Sequence, residues 1–408
     1  MAEPRYRALA LCSHPAQYMS PLLSRMAQHP QLDLQVAYCS LQGAEVALDP
    51  DFCAMIQWDV PLLDGYAWTE IPNRGSGNEG FWGLCNPGLW TLIRKGRFDF
   101  ILCYLGYIRA SFWIAYMAAR LARSAFLFGT DASNLAPRDA RSWKIAFKKL
   151  LWPHLFGLAD QVIVPSSAGR EMMRSLGIPD DRLTLTPFVV DNDWWTAQAQ
   201  IANRSLVRKS WGVAPHQLVV LFCAKLQPWK RPLDLLHAFA QADVPDTHLI
   251  FAGEGPLRAQ LEAEARSLGI SSRVRFLGFI NQSELPAVYS ASDLFVLPSD
   301  YDPCPAVICE AMLCGLPVIL SDEIRGRFDL VRPGVTGGIF PCGNVKALAE
   351  VLHGLLLDRT ELAALAKNAR ARMESWSPLE NIAATVEAGS RAILHRQRNR
   401  HLQESAKT

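Results

Sequence analysis

The chain has 408 residues, half of them apolar and a fifth charged, and its 41 basic against 39 acidic side chains leave a net charge of +2. That length exceeds what one hydrophobic core serves, so two domains are expected. The composition is that of an ordinary globular protein, and nothing in the charge calls for nucleic acid.

The start, MAEPRYRALALCSH, carries the short apolar run of a first strand, not the long apolar core of a secretory signal. The loop after it, CSHPAQYMSP, presents His14, Gln17 and Tyr18. A helix-length MSPLLSRMAQHP and the strand runs LDLQVAYC and FDFILCYLG come next. The greasy ASFWIAYMAARLARSAFLF is broken by Arg120 and Arg123, too interrupted to cross a bilayer. The strand AFLFGT leads to Gly129, Thr130 and Asp131. Then ARSWKIAFKKLLWPHLFGLA places Arg141, Lys144, Lys148 and Lys149 with Trp143, Phe147 and Trp152 at helical spacing. It reads either as an interfacial helix or as a core-packed helix with lysines in water. QVIVPS is a further strand.

Periodicity lapses through TPFVVDNDWWTAQAQIANRSLVRKSWGVAPHQ, which predicts a boundary between a first domain over 1–205 and a second over 206–377. The second half resumes with the strands LVVLFCAKL, HLIFAGEG, VRFLGFI, LFVLPS and PVILSD, separated by helices such as RPLDLLHAFAQA and PLRAQLEAEARSLGI. A last helix over 378–398 has no strand after it and is expected to cross back to the first domain, with 399–408 a solvated tail. Short apolar strands alternating with helices, twice over, predict two doubly wound α/β domains with ligands outside the carboxyl ends of the strands. The ten cysteines form no C-x-x-C pair, and the spacing of Cys304, Cys309 and Cys314 by five fits neither a zinc knuckle nor a thioredoxin site. They read as small buried residues of a reducing cytosol.

Chemistry concentrates in the second half. Lys225 and Lys230 lie between a strand end and a helix start, where two ammonium groups and the helix N-terminus can meet one pyrophosphate. The alternative is the ordinary lysine of a surface loop. Gly253 and Gly255 admit either close backbone approach to a ligand or a tight turn. Phe279 and Ile280 end a strand where a flat base can lie, or simply pack. Asp302 sits at the mouth of a helix predicted over 305–314, and Glu310 sits inside it among Val307, Ile308, Ala311 and Met312. A glutamate there needs a partner, and the vicinal hydroxyls of a ribose or hexose are suitable ones.

These segments together resemble the nucleotide-sugar domain of GT-B glycosyltransferases, specifically the large retaining family 4 (glycosyl transferases group 1). AKLQPWKRPLDLLHAF is similar to its Gly-Arg-Leu…Lys-Gly strand-loop, and FAGEGPLRAQLEAEARSLGISSRVRFLGF to its Gly-x-Gly-Pro and Val-x-Phe-x-Gly segments. DPCPAVICEAMLCGLPVILSD is similar to its Glu-x7-Glu motif and continuation. The resemblance runs from about Leu218 to Phe340 and continues weakly in KKLLWPHLFGLADQVIVPSSAGREMM.

The resemblance implies a GT-B fold, two Rossmann-like domains facing a central cleft. It implies a sugar moved from a nucleotide-diphosphate donor (UDP, GDP or ADP) to a hydroxyl acceptor with retention, in glycan, polysaccharide or glycolipid synthesis. Lys225 and Lys230 would hold the pyrophosphate, Asp302 the donor-sugar hydroxyls and Glu310 the ribose. Asp302 replaces the usual glutamate and Lys225 the usual arginine, which keeps charge but loses the bidentate fork. Pro303 and Pro305 replace a glycine-containing turn and leave the N–H groups of Cys304, Ala306 and Val307 to reach sugar or phosphate. The family's glycine pair after the first strand and its histidine further on have no match here. His14 is a catalyst or a loop histidine; Asp131 orients an acceptor hydroxyl or caps a helix starting near Ser133.

No nucleophilic carboxylate is evident, so same-face substitution is expected, the leaving phosphate taking the acceptor's proton, with domain closure excluding water. No cofactor is called for. Asp300-Tyr301-Asp302 is the Asp-x-Asp of metal-dependent GT-A enzymes, but those have one compact domain and the lysine pair already supplies countercharge. The acceptor side points to a lipid-linked glycan and peripheral contact with the inner face of a membrane, in a cytoplasmic setting. A GT-B epimerase and a non-catalytic sugar-nucleotide binder are the rival readings.

Overall fold

The computed structural model describes residues 4–49, 54–135 and 143–405. They form two compact units. The first comprises Met1–Glu45, Pro61–Phe188 and Pro378–Thr408, the second Val46–Val60 and Val189–Ser377.

In the first unit seven strands form a parallel sheet: β1 Tyr6–Cys12, β2 Leu32–Tyr38, β5 Ala67–Glu70, β6 Phe100–Cys103, β7 Ala125–Gly129, β8 Gln161–Val164 and β9 Leu183–Leu185. Their order is β5-β2-β1-β6-β7-β8-β9. β6, β7 and β8 read FILC, AFLFG and QVIV, buried almost throughout, because helices cover both faces. The strand order reverses between β1 and β6, which sets a switch point beside the loop carrying His14. The helix Pro378–Ser405 belongs to this unit, packs against β7 and β8, and ties Asn381 Nδ2 to the Pro187 carbonyl at 2.8 Å. It runs on to Ser405, into the segment 399–408 expected as a tail.

The second unit has a six-stranded parallel sheet: β10 Leu218–Cys223, β11 Thr247–Ala252, β12 Val274–Gly278, β13 Leu294–Leu297, β14 Val318–Ser321 and β15 Gly337–Phe340, in the order β12-β11-β10-β13-β14-β15. All six side chains of β10, LVVLFC, are buried. Burying each large apolar side chain contributes about 1.5–3 kcal/mol. Here too the order reverses beside the first strand of the sheet, between β10 and β13. The loops after β10 and β13 therefore open side by side, and they are the loops that carry Lys230 and Asp302.

Two features depart from the sequence reading. The division between units falls at Phe188/Val189, ahead of the boundary expected at 205. The segment with lapsed periodicity is two short helices, Asn192–Ile201 and Arg204–Trp211, started by side-chain caps: Asp191 accepts from the Trp194 N–H and Asn203 from the Leu206 N–H. The second departure is Val46–Val60, with the antiparallel pair β3 Ala47–Asp49 and β4 Ala54–Ile56, which groups with the second unit although it lies early in the chain.

Candidate functional site

β10 ends at Cys223, and the chain passes Lys225 into a short turn, Pro228–Lys230, before the helix Pro232–Ala242. Lys225 and Lys230 are half-buried. Gly253 and Gly255, after β11, form the bed of this loop. Their φ angles are 145° and 154°, and an added Cβ would stand 2.0 Å from the Ala224 carbonyl oxygen at the first and 2.8 Å from that of Leu226 at the second. The Leu226 N–H donates to the Glu254 carbonyl at 2.9 Å. The close approach these glycines permit is thus to the chain's own 224–226 backbone.

Lys230 Nζ lies 2.5 Å from Asp302 Oδ2, with the two side chains 16% and 12% exposed. Asp302 is also fixed through its backbone, where its carbonyl accepts from the Arg325 N–H at 3.0 Å. Asp300 donates its N–H to the Trp229 carbonyl at 2.9 Å, and burial raises its carboxyl pKa against the pull of Arg231. The helix Ala306–Leu313 follows, with Pro305 as its N-cap at φ −73°, ψ 120°. Cys304, Ala306 and Val307 are half-buried at its mouth. First-turn N–H groups have no intrahelical acceptor and carry the positive end of the helix dipole.

Glu310 is 6% exposed. The tyrosine hydroxyl of Tyr289, on the helix Leu285–Ala291, donates to Glu310 Oε2 at 2.9 Å. Burial pushes the Glu310 carboxyl up to about 7, with this hydrogen bond pulling the other way. The chain itself thus supplies one partner for the buried carboxylate. Sequence reasoning missed Tyr289; its only signal is a phenol amid the apolar positions of LPAVYSA, which needs a partner once buried.

Phe279 and Ile280 are half-buried just past β12. Trp58 meets Phe279 edge-on, ring centroids 6.0 Å apart. Asn281 Nδ2 donates to the Gln57 carbonyl at 2.6 Å, the Ser283 N–H donates to Asp59 Oδ1 at 3.1 Å, and the Ser283 hydroxyl donates to Asp59 Oδ2. Gln57–Asp59 thus clasp the place expected for a base. No local pattern announces a contact between residues so far apart in sequence.

In the first unit, His14 is exposed on one side, its Nδ1 sharing a hydrogen bond with Ser13 Oγ at 2.9 Å, and surrounding protein lowers its pKa. Asp131 is exposed, and its charge reaches the Tyr18 phenol, whose pKa is raised mainly by burial. His14, Tyr18 and Asp131 thus share the carboxyl edge of this sheet. Residues 131–135 hold no regular structure, and the next described helix is Trp143–Gly157, so among the described residues Asp131 caps no helix near Ser133. That helix exposes Trp143, Phe147 and Leu150 at 60%, 55% and 71%. Trp152 instead turns inward and donates from Nε1 to the Tyr107 hydroxyl at 3.0 Å. Lys148 Nζ lies over the Trp152 ring and donates to the Leu135 carbonyl at 3.3 Å. Arg141 lies outside the described residues. No helix among the described residues is long and apolar enough to cross a membrane.

Residues 203–372 match the family described as "Glycosyl transferases group 1". A D-inositol 3-phosphate glycosyltransferase of Mycobacterium sp. (strain KMS) is 35% identical over 205 residues, which cover 48% of this chain and 45% of the relative. The chain thus spans about half the length of this relative. Among solved structures, Anabaena HepE in complex with UDP and glucose superposes with TM-score 0.71 at 21% identity, over 95% of this chain and all of that one. A glycosyltransferase from Rickettsia africae does so with TM-score 0.74 at 15% identity, over 95% and 99%. Two parallel-sheet Rossmann-like units in this likeness are the GT-B fold.

Proposed function

We propose that this protein is a glycosyltransferase that moves a sugar from a nucleotide-diphosphate sugar to a hydroxyl acceptor with retention of configuration. The observation that carries the reading is the Lys230–Asp302 ion pair at the switch point of the second sheet, with the buried Glu310 on the helix that follows, inside the segment that matches the group 1 family. HepE binds UDP and UDP-glucose, which supports a nucleotide-sugar donor.

In this reading the pyrophosphate lies across the loop after β10. Lys225 and Lys230 neutralise it, and the N–H groups of Ala306 and Val307 meet it from the helix mouth. Asp302 accepts from the sugar hydroxyls and Glu310 from the ribose diol. Phe279 and Ile280 line the base. As the glycosidic bond breaks, negative charge grows on the leaving phosphate, and the lysines stabilise it where it grows. In this reading the chain's own cations supply the countercharge. His14 and Asp131, at the carboxyl edge of the first sheet, are the candidates for orienting the acceptor hydroxyl. The exposed Trp143 and Phe147, with Lys144 and Lys149 beside them, suit a membrane surface and hence a lipid-linked acceptor.

A panel of UDP-, GDP- and ADP-sugars read by thermal shift identifies the donor; stabilisation by none of them overturns the reading. Inversion at the anomeric carbon, seen by NMR of the product, overturns retention alone.

A further inference from the structure

Glu310 lies in a neutral pocket of the second unit. Facing it are the Tyr289 phenol from the helix Leu285–Ala291, the Cys223 thiol at the end of β10, and Cys309 and Cys314 beside it. Arg372 and Arg370, on the helix Arg359–Arg372, act on those last two thiols. Burial pushes Cys223 and Cys309 up to about 12 and Cys314 higher still, so across the neutral range Glu310 alone in this cluster changes charge.

Tyr289 is wholly buried, and its ring is wedged. Trp195 meets it edge-on with centroids 5.8 Å apart, and Phe295 of β13 lies tilted against it at 6.1 Å. A ring held on two sides cannot swing, so its hydroxyl keeps its place 2.9 Å from Glu310 Oε2. A phenol has one proton to give; the Glu310 carboxylate takes it, and the Cys223 thiol, the phenol's other hydrogen-bond partner, keeps its own proton and donates it to the phenol oxygen. Glu310 Oε1 and the remaining lone pair of Oε2 stay available as acceptors. Donation to a carboxylate favours its ionised form, the form that accepts from a diol.

We propose that Tyr289 is a positioning residue of the donor site: its phenol fixes the Glu310 side chain and keeps the carboxylate set to accept both hydroxyls of the donor's ribose. The inference rests on the donor reading above and extends the site to a residue that touches no substrate. The wedge of Trp195 and Phe295 is the reason the phenol can do this without a mobile loop.

The test uses the full chain as wild type, Tyr289→Phe and Glu310→Gln, with two readouts. The first is the carboxyl signal lost in Glu310→Gln, followed by infrared titration without ligand. Its midpoint is expected near 7 in the wild type and higher in Tyr289→Phe. The second is calorimetry with UDP-glucose. At neutral pH Tyr289→Phe is expected to bind about tenfold more weakly, the scale of one hydrogen bond to a charge. Raising the pH should restore part of that affinity in Tyr289→Phe and none in Glu310→Gln. Fluorotyrosine at position 289, a stronger donor of nearly the same shape, should move the midpoint down and serves if Tyr289→Phe does not fold. Wild-type midpoint and affinity in Tyr289→Phe, with binding still lost in Glu310→Gln, would overturn the role of Tyr289 and leave the donor reading standing. Absence of UDP-glucose binding to the wild type would overturn that reading for UDP donors, and the role of Tyr289 in holding them with it.

Discussion

Lys230 and Asp302, contributed by the loops after two neighbouring strands, form an ion pair of 2.5 Å in which both side chains are mostly buried. The two residues assigned to opposite parts of the donor thus hold each other, and each is placed by the other. Removing either leaves a poorly hydrated charge. Lys230→Ala is expected to cost about 1–3 kcal/mol of stability. Lys230→Ala with Asp302→Asn should cost less than the sum of the single changes. Thermal unfolding of the four proteins of the cycle measures this. Strict additivity would mean that the pair is not coupled.

Gly253→Ala should be among the most damaging single-methyl changes in the second unit. The new Cβ would meet the Ala224 carbonyl at 2.0 Å, at a φ of 145° that other residues rarely adopt. A loss of about 2 kcal/mol or more is expected, with Gly255→Ala milder because its nearest atom is at 2.8 Å. Both should also shift the Lys225 loop and weaken nucleotide binding. Equal melting temperatures for Gly253→Ala and wild type would contradict this packing.

The raised pKa of Glu310 gives stability a pH dependence of known sign. Its carboxyl titrates near 4.5 when unfolded and about 7 when folded, so between those values the native state binds more protons. The contribution of Glu310 is fully present below the lower value and is lost as pH rises through the upper one. Glu310→Gln, which keeps a neutral side chain, should therefore gain stability relative to wild type as pH rises across this window. Denaturant unfolding at several pH values reads the difference, and a flat difference would remove the raised pKa.

Much of the fold was legible for a simple reason. Strands covered on both faces read as continuous apolar runs, and LVVLFC, HLIFA and FILC are such runs. Lysines at a strand end and acids at a helix mouth are likewise visible in the chain, because anion binding draws on local geometry. What was not legible is tertiary. The pairing of Lys230 with Asp302, the phenol on Glu310 and the clasp of Asp59 on Ser283 join residues that no local pattern connects. The helices behind Asp191 and Asn203 were missed because their caps lie in a polar stretch that read as a linker.

Membrane contact through the helix Trp143–Gly157 makes its own prediction. Lys148→Glu with Lys149→Glu should abolish flotation with vesicles rich in phosphatidylglycerol, since each basic residue near an anionic surface is worth about 1 kcal/mol. Lys149→Glu alone should account for most of the loss, because Lys148 is engaged with the Leu135 carbonyl. Flotation unaltered by both changes would remove the membrane from the account.

The most direct test is calorimetric titration of the full chain with the nucleotide sugar selected by thermal shift, beside Lys230→Ala and Glu310→Ala. The account predicts saturable binding to the wild type and at least a tenfold loss in each variant, the scale of one charge-assisted contact removed. Undiminished binding by both variants, or none by the wild type to any activated sugar, would contradict it.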